Sequence, residues 1–319
     1  MVEETVLVTG GCGFIGGRLV ADLKAAGHAV RVLDIPRADF SRADALGARC
    51  LSGSVVDGES VRTALGSSKV VYHMAGPDVR ITDARFVRKM VVAGAQVLME
   101  EVEDSKVELV VAASVTGFYA RAPTTVDEAA PMRRRTELER AKLEMEAALA
   151  KGAARAGVRA VALRMGLVYG RGDGCTVDRL LPRMRDPRPL PLPRNGFANA
   201  IHVGDAASAA IGIARKRRGL EVGRLEALNC SSGEVMSAEA FVMALAIAAG
   251  TGPTRPPIKP GLLVRGPDAW IKQREGSLRI IDAAPVSIGR IRSILHDWPR
   301  WSVLERGLQD VLKDDKGPH

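Results

Sequence analysis

Thr9-Gly10-Gly11-Cys12-Gly13-Phe14-Ile15-Gly16 joins an apolar run, Thr5-Val6-Leu7-Val8, to a helix-like stretch that continues from Arg18 to Ala26. A strand, a glycine turn and a helix in that order suit the pyrophosphate of a dinucleotide. Gly10 permits the tight turn, Gly13 lets the main chain approach the phosphates, and Gly16 lets the helix pack close on the strand. The phosphates then rest on the unpaired N–H groups that open the helix, those of Phe14, Ile15 and Gly16. A second apolar run, Ala29-Val30-Arg31-Val32-Leu33, ends in Asp34, eighteen residues after Gly16. A carboxylate there accepts hydrogen bonds from the adenosine ribose hydroxyls and repels a 2′-phosphate, so NAD is expected over NADP. Arg37 lies three residues on and could serve a 2′-phosphate instead, or stand as a solvated loop charge.

These groups need a scaffold. Further strand-like runs are Val70–Met74, Leu109–Ala113 and Arg159–Arg164, with helix-like stretches at Val61–Leu65, Ala84–Val102 and Thr136–Ala156 between them. Such alternation predicts an α/β fold, a doubly wound parallel sheet with helices on both faces and right-handed crossovers. Residues 1–173 are read as the dinucleotide-binding domain, its sheet completed by later segments at about 201–230. Residues 174–319 are read as a smaller, mixed substrate-binding region interleaved with the first, forming a lid over the strand ends. The proline-rich stretch from Pro182 to Pro193 is expected to be loop, and a second runs from Pro253 to Pro260.

A chain of 319 residues with 46% apolar residues can bury an ample core. The first strand starts at once, so no secretory signal is expected, and no apolar stretch reaches membrane-spanning length. The longest, Ala240–Ala249, reads as a buried helix. Cys12, Cys50, Cys175 and Cys230 show no metal-type spacing, which points to reduced thiols, a cytoplasmic location and no metal. The net charge of +9 rests on 35 arginines and 11 lysines. Neither Arg133-Arg134-Arg135 nor Arg215-Lys216-Arg217-Arg218 has interleaved aromatic residues, so both read as solvated surface and no nucleic-acid partner is expected.

Together the motifs resemble the extended short-chain dehydrogenase/reductase superfamily, the NAD-dependent epimerase/dehydratase group with its Rossmann sheet. Val71-Tyr72-His73-Met74-Ala75-Gly76 is similar to the family's segment beside the cofactor, which implies a cofactor contact at Ala75. Asp127–Pro131 resembles its E-x-x-P loop, and Lys142 to Glu146 its K-x-x-x-E helix piece. Leu163–Asp173 is close to LRPGLVYGPGD, Ile201–Ala207 matches xHVxDxA, and Trp298–Leu308 resembles the closing W-x-P-x-x-x-L-E-x-G-L. The resemblance also implies a homodimer built through helices that include the one bearing Lys142.

In that family a Ser/Thr, a Tyr and a Lys carry the chemistry, the last two as Y-x-x-x-K. The lysine holds the nicotinamide ribose and, with the positively charged nicotinamide, lowers a phenol pKa that is ordinarily about 10. Here Lys142 is retained, but Leu138 stands where the tyrosine belongs, and no tyrosine of the chain has a lysine four residues later. The serine position, counted four back from Tyr119, is Val115, flanked by Ser114 and Thr116. Candidate replacements are therefore Ser114 or Thr116 for the hydroxyl, and Glu139 or Tyr119 for the proton carrier. Glu139, three residues before Lys142, could instead form an i,i+3 ion pair with it; Tyr119 could pack in its loop or touch substrate. His73 and His202 read as structural.

Nucleotide-sugar members carry an Asn where this chain has Leu167 and an Arg where it has Ala198. The resemblance is closer to the 3β-hydroxysteroid dehydrogenase-like branch, whose substrates are less polar. The expected substrate is a hydroxy or keto small molecule, such as a natural-product intermediate. The alternatives are a non-redox enzyme performing elimination, isomerisation or cyclisation with bound cofactor, and a dinucleotide-binding sensor without catalysis.

Overall fold

The computed structural model describes residues 4–77, 83–134, 136–174, 176–184, 196–250, 284–301 and 304–313. Its centre is a seven-stranded sheet of β1 (Thr5–Thr9), β2 (Ala29–Asp34), β3 (Arg49–Ser52), β4 (Val70–His73), β5 (Leu109–Val115), β6 (Arg159–Met165) and β9 (Leu225–Cys230). The strand order is β3-β2-β1-β4-β5-β6-β9 and every pairing is parallel. The order reverses between β1 and β4, so the ends of those two strands diverge and open a crevice. Central strands are apolar on both faces: β6 buries six of its seven residues, as helices on both sides require.

One face is covered by α1 (Phe14–Ala25) and α8 (Val203–Arg215) through Leu19, Val20, Leu23, Ala206, Ala210 and Ile213. The other carries α3 (Gly58–Leu65), α5 (Gly94–Glu103) and α6 (Glu137–Ala156). Helix α6 packs with a stripe at four-residue spacing, Ala141, Met145, Leu149 and Ala153, all buried. Burying a Met or Leu side chain contributes about 1.5–3 kcal/mol, so this stripe fixes the helix against the sheet and sets the height of Lys142. Preceding α5 are α4 (Ala84–Arg88) and a π-helical turn, Lys89–Ala93, so the stretch expected as one helix is interrupted. The edge carries α2 (Ser41–Ala45) ahead of β3.

A smaller layer sits beyond β6. Strands β7 (Leu167–Tyr169) and β8 (Ala200–His202) pair in parallel. Tyr169 packs with Leu180 of α7 (Val177–Met184), Phe241 and Leu245 of α9 (Ala238–Ala248), and Leu308 of the last helix, α11 (Leu304–Lys313). The short α10 (Gly289–Ile294) packs on β9.

Three expectations change. Pro182 lies inside α7, not in loop. It falls in the last turn of a short helix, so a single backbone bond is forgone and the helix stops two residues later. Residues 185–193 and 253–260 of the two proline-rich stretches lie outside the described residues. Arg217 is not a solvated charge: it bonds Glu4 at 2.5 Å and Glu108 at 3.0 Å, tying together the starts of β1 and β5. And α9 is only partly buried, with Ile247 67% exposed. Among the described residues no helix is long and apolar enough to cross a membrane.

Candidate active site

The glycine turn occupies the crevice between β1 and β4. Gly10 has φ +69°, and a Cβ there would lie 2.7 Å from the backbone of Ala75 at the exit of β4. A Cβ on Gly16 would meet the Gly10 carbonyl oxygen at 2.0 Å, so the helix can approach the turn only without a side chain. Gly13 differs: a Cβ there would meet only the Gly10 oxygen, at 3.2 Å, and otherwise project into open space. Gly13 is the N-cap of α1 and offers no side-chain bond, and the first turn contains no acid. The N–H groups of Phe14, Ile15 and Gly16 thus face an uncapped, positively polarised helix end. Asp34 completes this side. Its Oδ2 accepts from the Cys12 N–H at 2.9 Å and its Oδ1 from the Ile35 N–H at 2.8 Å, which holds the carboxylate at the lip of the turn. Arg37 is exposed three residues away. Burial, helped by the Asp34 charge, pushes the Cys12 thiol up to about 12, so it is inert as a nucleophile. An open cavity of about 480 Å³ borders the turn, with Arg18, Arg42 and Arg171 among its lining residues. These residues fit a dinucleotide: glycines where a Cβ would fill the cradle, and an oriented carboxylate for the ribose.

The second cluster lies where β5 ends and α6 begins. Thr136 caps α6 through a bond from the Glu139 N–H at 3.2 Å, and Glu139 Oε2 accepts from the Thr136 N–H at 3.1 Å. The Glu139 carboxylate is therefore committed to a capping box. Leu138 is partly buried against the α3/α5/α6 core. One turn later Lys142, 8% exposed, donates to the Ala113 carbonyl oxygen at 2.6 Å and lies 3.7 Å from the Met145 sulfur.

Ser114 donates its hydroxyl to Glu146 Oε1 at 2.6 Å. Glu146 in turn accepts from Arg164 at both oxygens, at 3.1 and 2.7 Å, a buried two-pronged pair. Arg164 also donates to the Tyr119 hydroxyl at 2.9 Å and the Glu128 carbonyl at 3.0 Å, and its guanidinium lies over the Phe118 ring. Tyr119, 1% exposed, donates onward to Asn229 Oδ1 at 2.7 Å. Asn229 donates its backbone N–H to the Glu128 side-chain oxygen Oε1 at 2.8 Å. Ser114 and Tyr119 are thus brought into one buried network with Glu146, Arg164 and Asn229, whereas Glu139 serves the helix end. Thr116 is buried with its N–H on the Met165 carbonyl at 3.0 Å. Val115 packs with Phe118, Tyr119 and Leu143.

The electrostatics follow from burial. Desolvation lowers the Lys142 ammonium to about 8, opposed by the Glu146 charge. His73 is lowered further, to about 3, by burial and then by Lys142. Its Nδ1 lies 2.8 Å from Thr9 Oγ1, while Nε2 is buried without a partner among the described residues. Burial raises the Tyr119 phenol despite Arg164 beside it.

His202 and Asp205 explain another motif. His202 Nδ1 accepts from the Gly204 N–H at 3.2 Å and caps α8. Asp205 binds residues 298–301: its carboxylate accepts from the backbone N–H groups of Arg300 and Trp301 at 3.0 and 2.9 Å, and its carbonyl accepts from Trp298 Nε1 at 3.0 Å.

No local pattern in the sequence marks Asn229 and Glu128 as members of this network. The available signal was Arg164 inside an apolar strand and Glu146 on the inner face of a helix, since buried charges need partners. Among the described residues no cluster could hold a metal ion.

The profile of the NAD dependent epimerase/dehydratase family matches residues 6–230. A Stigmatella aurantiaca ketoreductase of 4-hydroxy-2-methyl-3-oxo-4-farnesyl-3,4-dihydroquinoline-1-oxide is 28% identical over 188 residues, 57% of this chain and 55% of the relative. The 3-diazoavenalumate denitrifying reductase of a Streptomyces species is 29% identical over 228 residues, 65% of this chain and 70% of its own. This chain spans about half the length of the Stigmatella enzyme and of two further relatives. Among solved structures, MoeE5 with UDP-glucose and NAD is 25% identical with a TM-score of 0.77, covering 98% of each chain. Thermus thermophilus UDP-glucose 4-epimerase with NAD is also 25% identical, with a TM-score of 0.76, covering 99% of this chain and 100% of that one. With the family profile spanning the sheet from β1 to β9, the chain belongs to the NAD-dependent epimerase/dehydratase family.

Proposed function

We propose that the chain is an NAD(H)-using enzyme that interconverts a hydroxyl and a carbonyl on a weakly polar small molecule, a natural-product intermediate and not a nucleotide sugar. The observation that carries this is the coexistence of an open glycine turn and oriented Asp34 with Lys142 at the β5/α6 junction. Phe14, Ile15 and the glycines would hold the pyrophosphate, Asp34 the adenosine ribose, Ala75 the crevice wall, and Lys142 the nicotinamide ribose. Bound there, NAD supplies or accepts a hydride. Leu167 and the buried Ala198 offer no polar anchor to a sugar nucleotide, and relatives named as reductases of elaborate aromatic compounds support the same substrate class.

A second reading, conversion without net redox, is favoured by Leu138 and Val115, aliphatic at both hydroxyl positions of the family pattern. The test is calorimetry with NAD⁺, NADH and NADPH, followed by turnover of quinolone and aryl ketones with NADH. Consumption of NADH absorbance supports the redox reading; product without absorbance change supports the second. Absence of any dinucleotide binding refutes both.

A further inference from the structure

We propose that the Lys142 ammonium itself carries the proton exchanged with the substrate oxygen, in place of the absent phenol. This rests on the reading that a carbonyl or alcohol is handled beside a nicotinamide. A carbonyl carbon that receives a hydride with its electron pair gains a C–H bond as the C=O π bond opens, and its oxygen must take one proton. Here the N–H bond of Lys142 breaks, the O–H bond forms, and the neutral amine left behind takes a proton back from water. Alcohol oxidation runs the same exchange in reverse, with NAD⁺ as hydride acceptor.

Geometry singles out this group. Lys142 lies four residues after Leu138, on the same helix face, and its Nζ stands at the end of β5, 2.6 Å from the Ala113 carbonyl oxygen. Ser114, Tyr119 and Glu139 are committed. Ser114 spends its hydrogen on Glu146, and both Glu146 oxygens accept from Arg164. Tyr119 donates to Asn229 and accepts from Arg164. Glu139 closes the capping box. His73, facing Lys142 from β4, is held neutral by burial. From β5 Lys142 meets the Ala113 carbonyl, a neutral acceptor, and on its own helix Glu146 is the charge that acts on it. Arg88 of α4 is bound to Glu144 on the outer surface. Lys142 is thus a buried ammonium whose carboxylate neighbour is already taken, a setting that brings its titration near neutral pH.

The experiment is ¹⁵N NMR of the intact protein labelled at lysine Nζ, whose 11 lysines permit assignment of Lys142 by difference with Lys142→Arg. The expected Nζ titration midpoint is about 8 in the free protein, and lower with NAD⁺ than with NADH, because the oxidised ring adds a positive charge beside it. NAD⁺ binding near pH 8 should release protons, measured as a buffer-dependent enthalpy, and Lys142→Arg, weakened in affinity, should lose that release at saturating NAD⁺, since a guanidinium does not deprotonate. A midpoint above about 10, an identical midpoint with both redox forms, or undiminished release in Lys142→Arg each overturns the proposal. Binding of neither redox form overturns the functional reading beneath it; binding with an unresponsive Lys142 overturns this inference alone.

Discussion

The glycine turn and the β5/α6 corner are built on opposite principles. At the glycine turn the decisive feature is missing side chains. Gly10 and Gly16 are fixed by backbone contacts no Cβ could share, and Gly13 is bare toward open space. At the β5/α6 corner the decisive feature is side chains turned inward. Ser114, Glu146, Arg164, Tyr119 and Asn229 satisfy one another, and Lys142 bonds a main-chain carbonyl. The first region is a cradle kept empty; the second is a wall kept closed. Substitutions in the cradle should therefore act on binding, and substitutions in the wall on stability.

The sharpest challenge to that division is Arg164→Met. It leaves Glu146 as a buried, unpaired carboxylate and removes a donor from Tyr119, so unfolding free energy should drop by about 3–5 kcal/mol in urea titration. A loss under about 1 kcal/mol would mean the wall is not what holds this corner. In the cradle, Gly13→Ala should weaken NADH binding tenfold or more, about 1.4 kcal/mol by calorimetry, with little change in the urea midpoint. Gly16→Ala, whose Cβ collides with the Gly10 oxygen, should lower both. If Gly13→Ala destabilised as much as Gly16→Ala, the open cradle would be the wrong description.

Lys142 tests the border between the regions through pH. Its ammonium is disfavoured in the folded state, so the unfolded chain binds more protons between about 8 and the ordinary lysine value near 10.4. Wild-type stability should then rise with pH across that window relative to Lys142→Met, with a slope of up to about 1.4 kcal/mol per pH unit. Parallel curves for the two proteins would remove the buried ammonium from the account. The smallest effect is expected from Asp34→Asn: NADH affinity should fall by roughly tenfold or less and the preference over NADPH should narrow, because the amide no longer repels a 2′-phosphate.

The same contrast governs what could be read without coordinates. The glycine spacing and Asp34 are local, and a turn that tolerates no Cβ must be written as glycine at fixed intervals. The apolar runs of β1, β2, β4, β5 and β6 were equally plain, because strands covered on both faces must be apolar. Strand β3 was not, since it is an edge with exposed ends at Arg49 and Ser52. The pair β7–β8 is not legible, because three residues are too few to show a pattern. The replacement of the tyrosine by Leu138 was visible, but the commitments of Glu139 and Tyr119 were not. Glu139 lies beside Lys142 in spacing yet turns to Thr136, and Tyr119 finds its partner Asn229 across 110 positions of chain. Long-range hydrogen bonds leave no periodic trace.

The docking of Trp298, Arg300 and Trp301 on Asp205 carries a consequence for biosynthesis. On the ribosome, the dinucleotide cradle and all seven sheet strands emerge long before this clasp can form. Until Arg300 and Trp301 are translated, Asp205 awaits the donors that let its carboxylate be buried. A nascent chain that stalls short of Trp298 should present a finished sheet with α8 held by its apolar face alone and Asp205 without these donors.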